Sequence, residues 1–383
     1  MSFAQELDIY YQDLAYNLAL KGKISCYPNP AVGCVIVKDQ CIISCGYHQF
    51  AGTAHAERAA VLDLQQRYPQ TWQELIKDAQ VYVTLEPCAH FGRTPPCANL
   101  LVDCQVGEVI YLASDTTAKV NGKGVAVLEQ GGIKVRYVPR DTAQNLNRDF
   151  FALQESRDLP YVKIKIGASL DSKVALPNGE SKWITSPQAR SYVQALRWQA
   201  DAILTSSKTI IRDQAKYNVR YEELPETIQK HLPQEQLKQP KVVILDNSFA
   251  LQGKETIFSS QAFENLIIIS KDEHPLKELY PQIHFLNSVN SHTAQGLKEI
   301  LSKLKQLEIN NLLIEAGSSL TNAFIDAKLF EQLHYFVAPK VLGQGIEALH
   351  SSIVKEQIDQ SLSLKLLYSQ TLSEDNLYLV YEK

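Results

Sequence analysis

No stretch of about 18 consecutive apolar residues occurs in this 383-residue chain, so no membrane-spanning helix is expected. Neither charge sign is in excess: 38 Lys and Arg stand against 42 Asp and Glu, a formal net charge of −4. Residues 1–150 carry 13 basic and 15 acidic side chains, leaving 25 and 27 for the rest, so there is no basic arm or acidic tail. That balance argues against a nucleic-acid partner and against an anionic membrane surface. A secretory leader is not expected either, because Glu6, Asp8 and Asp13 interrupt the first 20 residues. Cysteine is missing beyond Cys104: Cys26, Cys34, Cys41, Cys45, Cys88, Cys97 and Cys104 account for all seven. An odd count without a leader predicts a reducing, cytoplasmic setting, with thiols or metal ligands in place of disulfides. The G-x-G-x-x-G dinucleotide fingerprint is absent too. Asn121-Gly122-Lys123-Gly124 and Leu342-Gly343-Gln344-Gly345 do not complete it and read as turns.

The remainder is that of an ordinary globular protein, 45% hydrophobic and 21% charged, long enough for two or three domains. Apolar spacing predicts helices over 5–21, 55–68 and 97–104, with strands over 31–37, 41–46, 81–85, 108–113 and 133–138. The mixed polar stretch 141–158 ends at Pro160 and marks a boundary near 150–158, giving expected domains 1–150 and 151–383. Beyond it, strands are expected at 161–168, 201–206, 241–246, 265–270 and 311–315, and helices at 187–199, 294–307 and 319–328. Alternating strands and helices read as α/β. Residues 221–239, polar with two prolines, read as a surface insertion.

The strongest chemical signal is His55-Ala56-Glu57 followed by Pro87-Cys88 and Cys97. One imidazole and two thiolates suit Zn²⁺, and three protein ligands leave a fourth position for water. A glutamate two residues after the histidine is placed to carry protons beside that water. This is the zinc-deaminase pattern H-x-E…P-C…C. Eight residues separate Cys88 from Cys97, and His90 among them is a rival ligand. The other five cysteines are expected to be small core residues, and His48 a core or pocket residue. Asn29, between Pro28 and Pro30, is aimed by its turn at the edge of a heterocycle. The strand-to-helix turn through Glu315-Ala316-Gly317-Ser318-Ser319 offers backbone N–H groups to a phosphate. Arg197 and Arg220 are candidate phosphate clamps. The deaminase motifs by themselves also suit a nucleoside or tRNA deaminase, and the ligands alone a zinc-stabilised binding protein.

Taken together, Pro28-Asn29-Pro30-x-Val32-Gly33, His55-Ala56-Glu57, Glu86-Pro87-Cys88 and Gly92-Arg93-Thr94-Pro95-Pro96-Cys97 resemble the riboflavin-pathway pyrimidine deaminases. Lys165-x-x-Ala168-Ser169-Leu170-Asp171, Gly179-Glu180-Ser181-x-Trp183, Thr205-Ser206-Ser207-x-Thr209 and Glu315-Ala316-Gly317 resemble their partner reductases. Nearly the whole chain is covered, in the order of the bifunctional deaminase–reductase family. The resemblance implies a cytidine-deaminase-like three-layer α/β/α domain followed by a dihydrofolate-reductase-like α/β domain. It implies hydrolytic deamination of 2,5-diamino-6-(5-phosphoribosylamino)pyrimidin-4(3H)-one with one Zn²⁺, then reduction of ribosyl to ribityl by NADPH. By the same resemblance His55, Cys88 and Cys97 hold zinc and Glu57 is catalytic. Ala168, Trp183, Thr209, Asp213, Gly317, Ser318 and Ser319 lie near NADPH. Asn29, Lys165, Ser181, Arg197, Tyr217, Arg220 and Glu315 lie near the pyrimidine ribosyl phosphate. A homo-oligomer is expected. Three departures stand out: Ser172 where glycine is frequent, Gln214-Ala215 where Asp-Pro is common, and Tyr217 where leucine is frequent.

Overall fold

The computed structural model describes residues 3–89, 95–115, 122–288, 293–351 and 353–383. The chain forms two compact units, Met1–Glu155 and Ser156–Lys383.

In the first unit β1 (Gly33–Lys38), β2 (Cys41–Tyr47), β3 (Gln80–Val83), β4 (Glu108–Tyr111) and β5 (Lys134–Tyr137) form one sheet in the order β2-β1-β3-β4-β5. β1 is antiparallel to both neighbours, whereas β3, β4 and β5 run parallel. Strand side chains alternate between faces, and the two faces bury different helices. Val35, Val37, Tyr82 and Ile110 pack under the helix Phe3–Gly22 through Tyr11, Ala15 and Leu18. Cys34, Ile36, Val81, Val83 and Val109 pack under Ala60, Val61 and Leu64 of the helix Ala56–Arg67 and Ala98 and Leu101 of the helix Cys97–Asp103. Helix, sheet and helix make the three layers expected. Gly46 lets the helix Ala56–Arg67 settle: a Cβ there would lie 2.5 Å from the Ala60 nitrogen and 2.8 Å from the Ala56 carbonyl oxygen. The unit closes with helices Asp141–Leu146 and Arg148–Gln154, whose Ala143 and Phe151 pack on Leu85 and Leu112.

The second unit is built on nine strands. They are β6 (Tyr161–Ser169), β8 (Ala202–Ser206), β9 (Lys241–Leu245), β10 (Leu266–Ser270), β11 (His284–Asn287), β12 (Asn311–Ile314), β13 (Gln332–Ala338), β15 (Lys365–Thr371) and β16 (Leu377–Glu382). The order is β11-β10-β9-β8-β12-β6-β13-β16-β15. From β11 to β13 every pairing is parallel, and β16 and β15 add an antiparallel edge. β7 (Lys173–Ala175) and β14 (Ile346–Glu347) form a separate pair. Strands buried on both faces read as continuous apolar runs, as Val242–Leu245 and Leu266–Ile269 do. Leu297, Ile300, Leu301 and Leu304 of the helix Ala294–Gln306 and Phe324 of the helix Ser318–Asp326 join this core.

The elements expected from spacing are present, each end within two residues. One reading needs correction. Cys41 and Cys45 are exposed, because β2 is an edge strand of the sheet. Residues 221–239 lie mostly at the surface and are anchored by Leu224, Ile228 and Leu232, buried at four-residue intervals around the short helix Glu226–His231. Cys88 lies in the segment after β3. The antiparallel edge of the second sheet was not anticipated. Among the described residues no helix is long and apolar enough to cross a membrane.

Candidate active sites

Two helix starts and one segment meet on the first unit. His55 caps the N-terminus of the helix Ala56–Arg67, and Cys97 is the first residue of the helix Cys97–Asp103. Cys88 is tied to that second helix: its carbonyl accepts from the Ala98 N–H at 3.1 Å and its Sγ from the Cys97 N–H at 3.4 Å. A Cβ on Gly124 would fall 1.8 Å from the Pro87 carbonyl oxygen, so a bare backbone presses the Pro87-Cys88 segment into place. His55 Nδ1 lies 3.5 Å from Cys88 Sγ and 3.6 Å from Cys97 Sγ. All three ligand atoms lie within 4.8 Å of one another. A tetrahedral ion with Zn–N near 2.0–2.1 Å and Zn–S near 2.3 Å separates N from S by about 3.6 Å. The distances are thus those of ligands around zinc, and the donor set suits it. His90 falls outside the described residues.

Glu57, in the first turn of the same helix, is 3% exposed. Burial, reinforced by the Cys88 thiolate, pushes its carboxyl up to about 7. A bound dication would oppose that rise. Of the two thiols, Cys88 is held below its ordinary range by hydrogen bonding with Cys97 and His55, while Cys97 is pushed up. The pair shares one readily lost proton. His48 is buried beside His55, ring centroids 5.3 Å apart. Burial lowers it to about 4, so it is neutral. Its Nδ1 then donates to the Ala54 carbonyl at 3.0 Å, and its Nε2 accepts from Asn29 Nδ2 at 3.0 Å. The Asn29 turn is clamped from the far end of the unit. Asn147 Oδ1 accepts from the Ala31 N–H at 2.7 Å, and Asn147 Nδ2 donates to the Ala31 carbonyl at 2.9 Å. Sequence reasoning missed Asn147, because it sits in the polar stretch that reads as a linker.

In the second unit the carboxyl ends of β8, β12 and β6 open into a cleft of about 320 Å³. Ligand sites in parallel sheets lie at such ends. Lys165, Ser181, Trp183, Arg197, Thr209, Asp213, Tyr217, Arg220, Glu315, Gly317 and Ser318 all line it. Ala168 is buried within β6 and Ser319 is exposed, and neither is part of that lining. Glu315 is the electrostatic centre. Arg197 Nε and Nη2 reach its two oxygens at 2.8 and 2.9 Å, and Lys165 Nζ lies 3.4 Å away. Burial raises the Glu315 carboxyl, but Arg197 and Lys165 together hold it down to about 2. Arg220 is paired with Glu223 at 2.5 and 2.6 Å, Arg212 with Asp213, and Arg190 stacks 4.5 Å from the Trp183 ring. The Gly317 N–H donates to Thr209 Oγ1 at 3.2 Å, joining two helix starts. The loop lacking proline is held by side chains: Thr256 donates to Gln214 Oε1 at 2.7 Å, and Gln261 donates to the Lys216 carbonyl at 3.1 Å.

Residues 5–113 match the cytidine and deoxycytidylate deaminase zinc-binding region, and residues 160–378 match the RibD C-terminal domain. The riboflavin biosynthesis protein RibD of Haemophilus influenzae is 38% identical over 343 residues, 89% of this chain and 88% of that protein. That of Escherichia coli is 38% identical over 344 residues, 89% and 90% of the two chains. The solved structure of Acinetobacter baumannii RibD superimposes with a TM-score of 0.65 at 36% identity, covering 98% of this chain and 99% of that one. A Thermotoga maritima diaminohydroxyphosphoribosylaminopyrimidine deaminase/5-amino-6-(5-phosphoribosylamino)uracil reductase gives a TM-score of 0.64 at 27% identity, over 98% and 99%. With both domains matched in order and relatives aligned along most of its length, the chain belongs to the RibD family, bifunctional riboflavin-biosynthesis enzymes that join a zinc-dependent deaminase to an NADPH-dependent reductase.

Proposed function

We propose that this chain deaminates 2,5-diamino-6-(5-phosphoribosylamino)pyrimidin-4(3H)-one in its first unit. In its second unit it then reduces the product's ribosyl group, giving 5-amino-6-(5-phosphoribitylamino)uracil. The observation that carries the reading is the His55–Cys88–Cys97 triangle, with zinc-ligand spacing and buried Glu57 beside it, on the same chain as a cation-lined reductase cleft. The deaminase domain is assigned to residues 1–150 and the reductase to 151–383. The helix Arg148–Gln154 packs with the first, whose compact unit runs on to Glu155.

His55, Cys88 and Cys97 hold the zinc. Zinc, when bound, supplies a nucleophilic water at neutral pH. Glu57 takes a proton from the attacking water and hands one to the departing amine; general acid–base help of this kind contributes about 10²–10⁴-fold. Asn29, its amide fixed by neutral His48, orients the pyrimidine edge. In the second unit NADPH supplies hydride to the ribosyl C1′. Trp183, Thr209, Asp213 and the Gly317-Ser318 turn border the cofactor, with Ala168 and Ser319 at its margins. Lys165, Ser181, Arg197, Tyr217, Arg220 and Glu315 surround the ribosyl phosphate. The Lys165–Glu315–Arg197 group carries a net positive charge, which favours that anion. A cytoplasmic location and a homo-oligomer belong to the same reading. Light scattering tests the oligomer.

The test is a coupled assay on zinc-loaded protein given the diaminopyrimidine ribosyl phosphate. Ammonia release followed by NADPH oxidation is expected. Folded, zinc-loaded protein that releases no ammonia refutes the substrate assignment.

A further inference from the structure

Tyr217 occupies the loop between the helix Ser207–Asp213 and Arg220 with φ +54°, a left-handed conformation that a bulky residue seldom adopts. Such strain persists where the surroundings over-determine the residue, and here they are visible. The side chain is 3% exposed. Its hydroxyl donates to the Glu315 carbonyl at 2.9 Å. With its one proton so committed, the phenol oxygen accepts from Thr205 Oγ1 at 2.8 Å. Thr205 lies in β8 and Glu315 directly follows β12, its neighbour in the sheet. The phenol therefore bridges the carboxyl ends of two adjacent parallel strands. Its ring lies 5.4 Å from the Arg197 guanidinium, which grips the Glu315 side chain. One side chain thus touches the backbone of Glu315 and, through Arg197, its carboxylate.

We propose that Tyr217 is a positioning residue for the reductase step. Its hydroxyl fixes the turn from Glu315 to Ser318 on the cofactor side, and its ring holds Arg197 against Glu315 on the substrate side. The proposal rests on reading this cleft as the reductase site. It also accounts for a loop that keeps its place without a proline at position 215: the tyrosine anchors it from the cleft side, while Gln214 and Gln261 anchor it from behind.

The experiment uses the full-length, zinc-loaded chain and follows ammonia and NADPH separately. Tyr217→Phe keeps the ring and removes the hydroxyl. The KM for NADPH should rise about tenfold, by more than the KM for the deaminated substrate, while the ammonia release of the first unit continues. Tyr217→Leu removes the ring as well, and the substrate KM should now rise about tenfold too. Thr205→Val removes only the donor onto the phenol, and a rise of about threefold in the NADPH KM is expected even if the Tyr217 variants are poorly folded. Unchanged KM for NADPH in Tyr217→Phe and Thr205→Val overturns the proposal. So does a loss confined to kcat that merely tracks the folded fraction. If the wild-type chain binds no NADPH and oxidises none with the deaminated substrate, the reading of the cleft itself has failed, and this inference with it.

Discussion

Replacing Asn147 with alanine is expected to destabilise the first unit by about 4 kcal/mol. The amide makes two hydrogen bonds to Ala31, which is fully buried, so water cannot replace either partner. Alanine strands one backbone N–H and one carbonyl, and each orphaned buried group costs about 1–3 kcal/mol. Native-state hydrogen exchange on peptides covering β1 and β2 reads the first unit alone, within the intact chain. Protection there should fall by the stated amount, while peptides from β9 and β10 keep theirs. Ammonia release should fall too, because Ala31 is two residues from Asn29. NADPH oxidation with pre-deaminated substrate should not. A loss of protection below about 1 kcal/mol in β1 would refute the clamp.

Other outcomes follow from the two sites. Cys97→Ser should lose zinc by elemental analysis and lose ammonia release, while NADPH oxidation on pre-deaminated substrate persists. Glu57→Gln should keep its zinc yet release ammonia at least about 100-fold more slowly. Ser172 has φ +62°, and its hydroxyl pairs with Tyr335 at 2.5 Å. Ser172→Gly therefore exchanges about 1 kcal/mol of backbone relief for a hydrogen bond of similar worth and leaves Tm nearly unchanged, whereas Ser172→Ala loses about 1 kcal/mol. The Glu315 carboxyl titrates near 2 when folded, below its ordinary value near 4.5. Its contribution is therefore complete above about pH 4.5 and is lost as pH falls from there toward 2. Tm measured across that window should drop more steeply in the wild-type chain than in Glu315→Gln.

The zinc triangle was legible because metal chemistry restricts residue type: few patterns place one histidine, two cysteines and a glutamate at these intervals. The parallel core was legible for a related reason, since strands buried on both faces, such as Leu266–Ile269, cannot be anything but apolar. Legibility failed where a side chain serves the backbone. Asn147 looks like any polar linker residue until the chain folds back onto Ala31. Glu315 was expected near the substrate, but its pairings were not legible: Arg197 joins it to a helix 118 residues earlier in sequence, and Lys165 to β6. The antiparallel edge strands β15 and β16 were hidden because they are short and only partly buried: Leu367 and Tyr368 are the buried residues of Lys365–Thr371, and Tyr378 and Val380 those of Leu377–Glu382, and such runs are easily mistaken for loop. The exposed Cys41 and Cys45 show the converse: composition suggested core, but an edge strand has an outward side.

The proposed metal ligands are seated by elements that already have their own core. His55 and Cys97 sit at helix starts whose apolar faces are buried by β1, β3 and β4, and Cys88 is fastened to the second helix through its backbone. Zinc therefore enters a cage that the fold has built, in contrast to small domains that are unfolded without metal. Removal of the ion by a chelator is therefore expected to be a reversible event between two folded forms, with activity restored by zinc without refolding. For a cell, this makes the first reaction of the chain responsive to metal supply on the timescale of ion exchange, while the second reaction continues on whatever deaminated substrate is at hand.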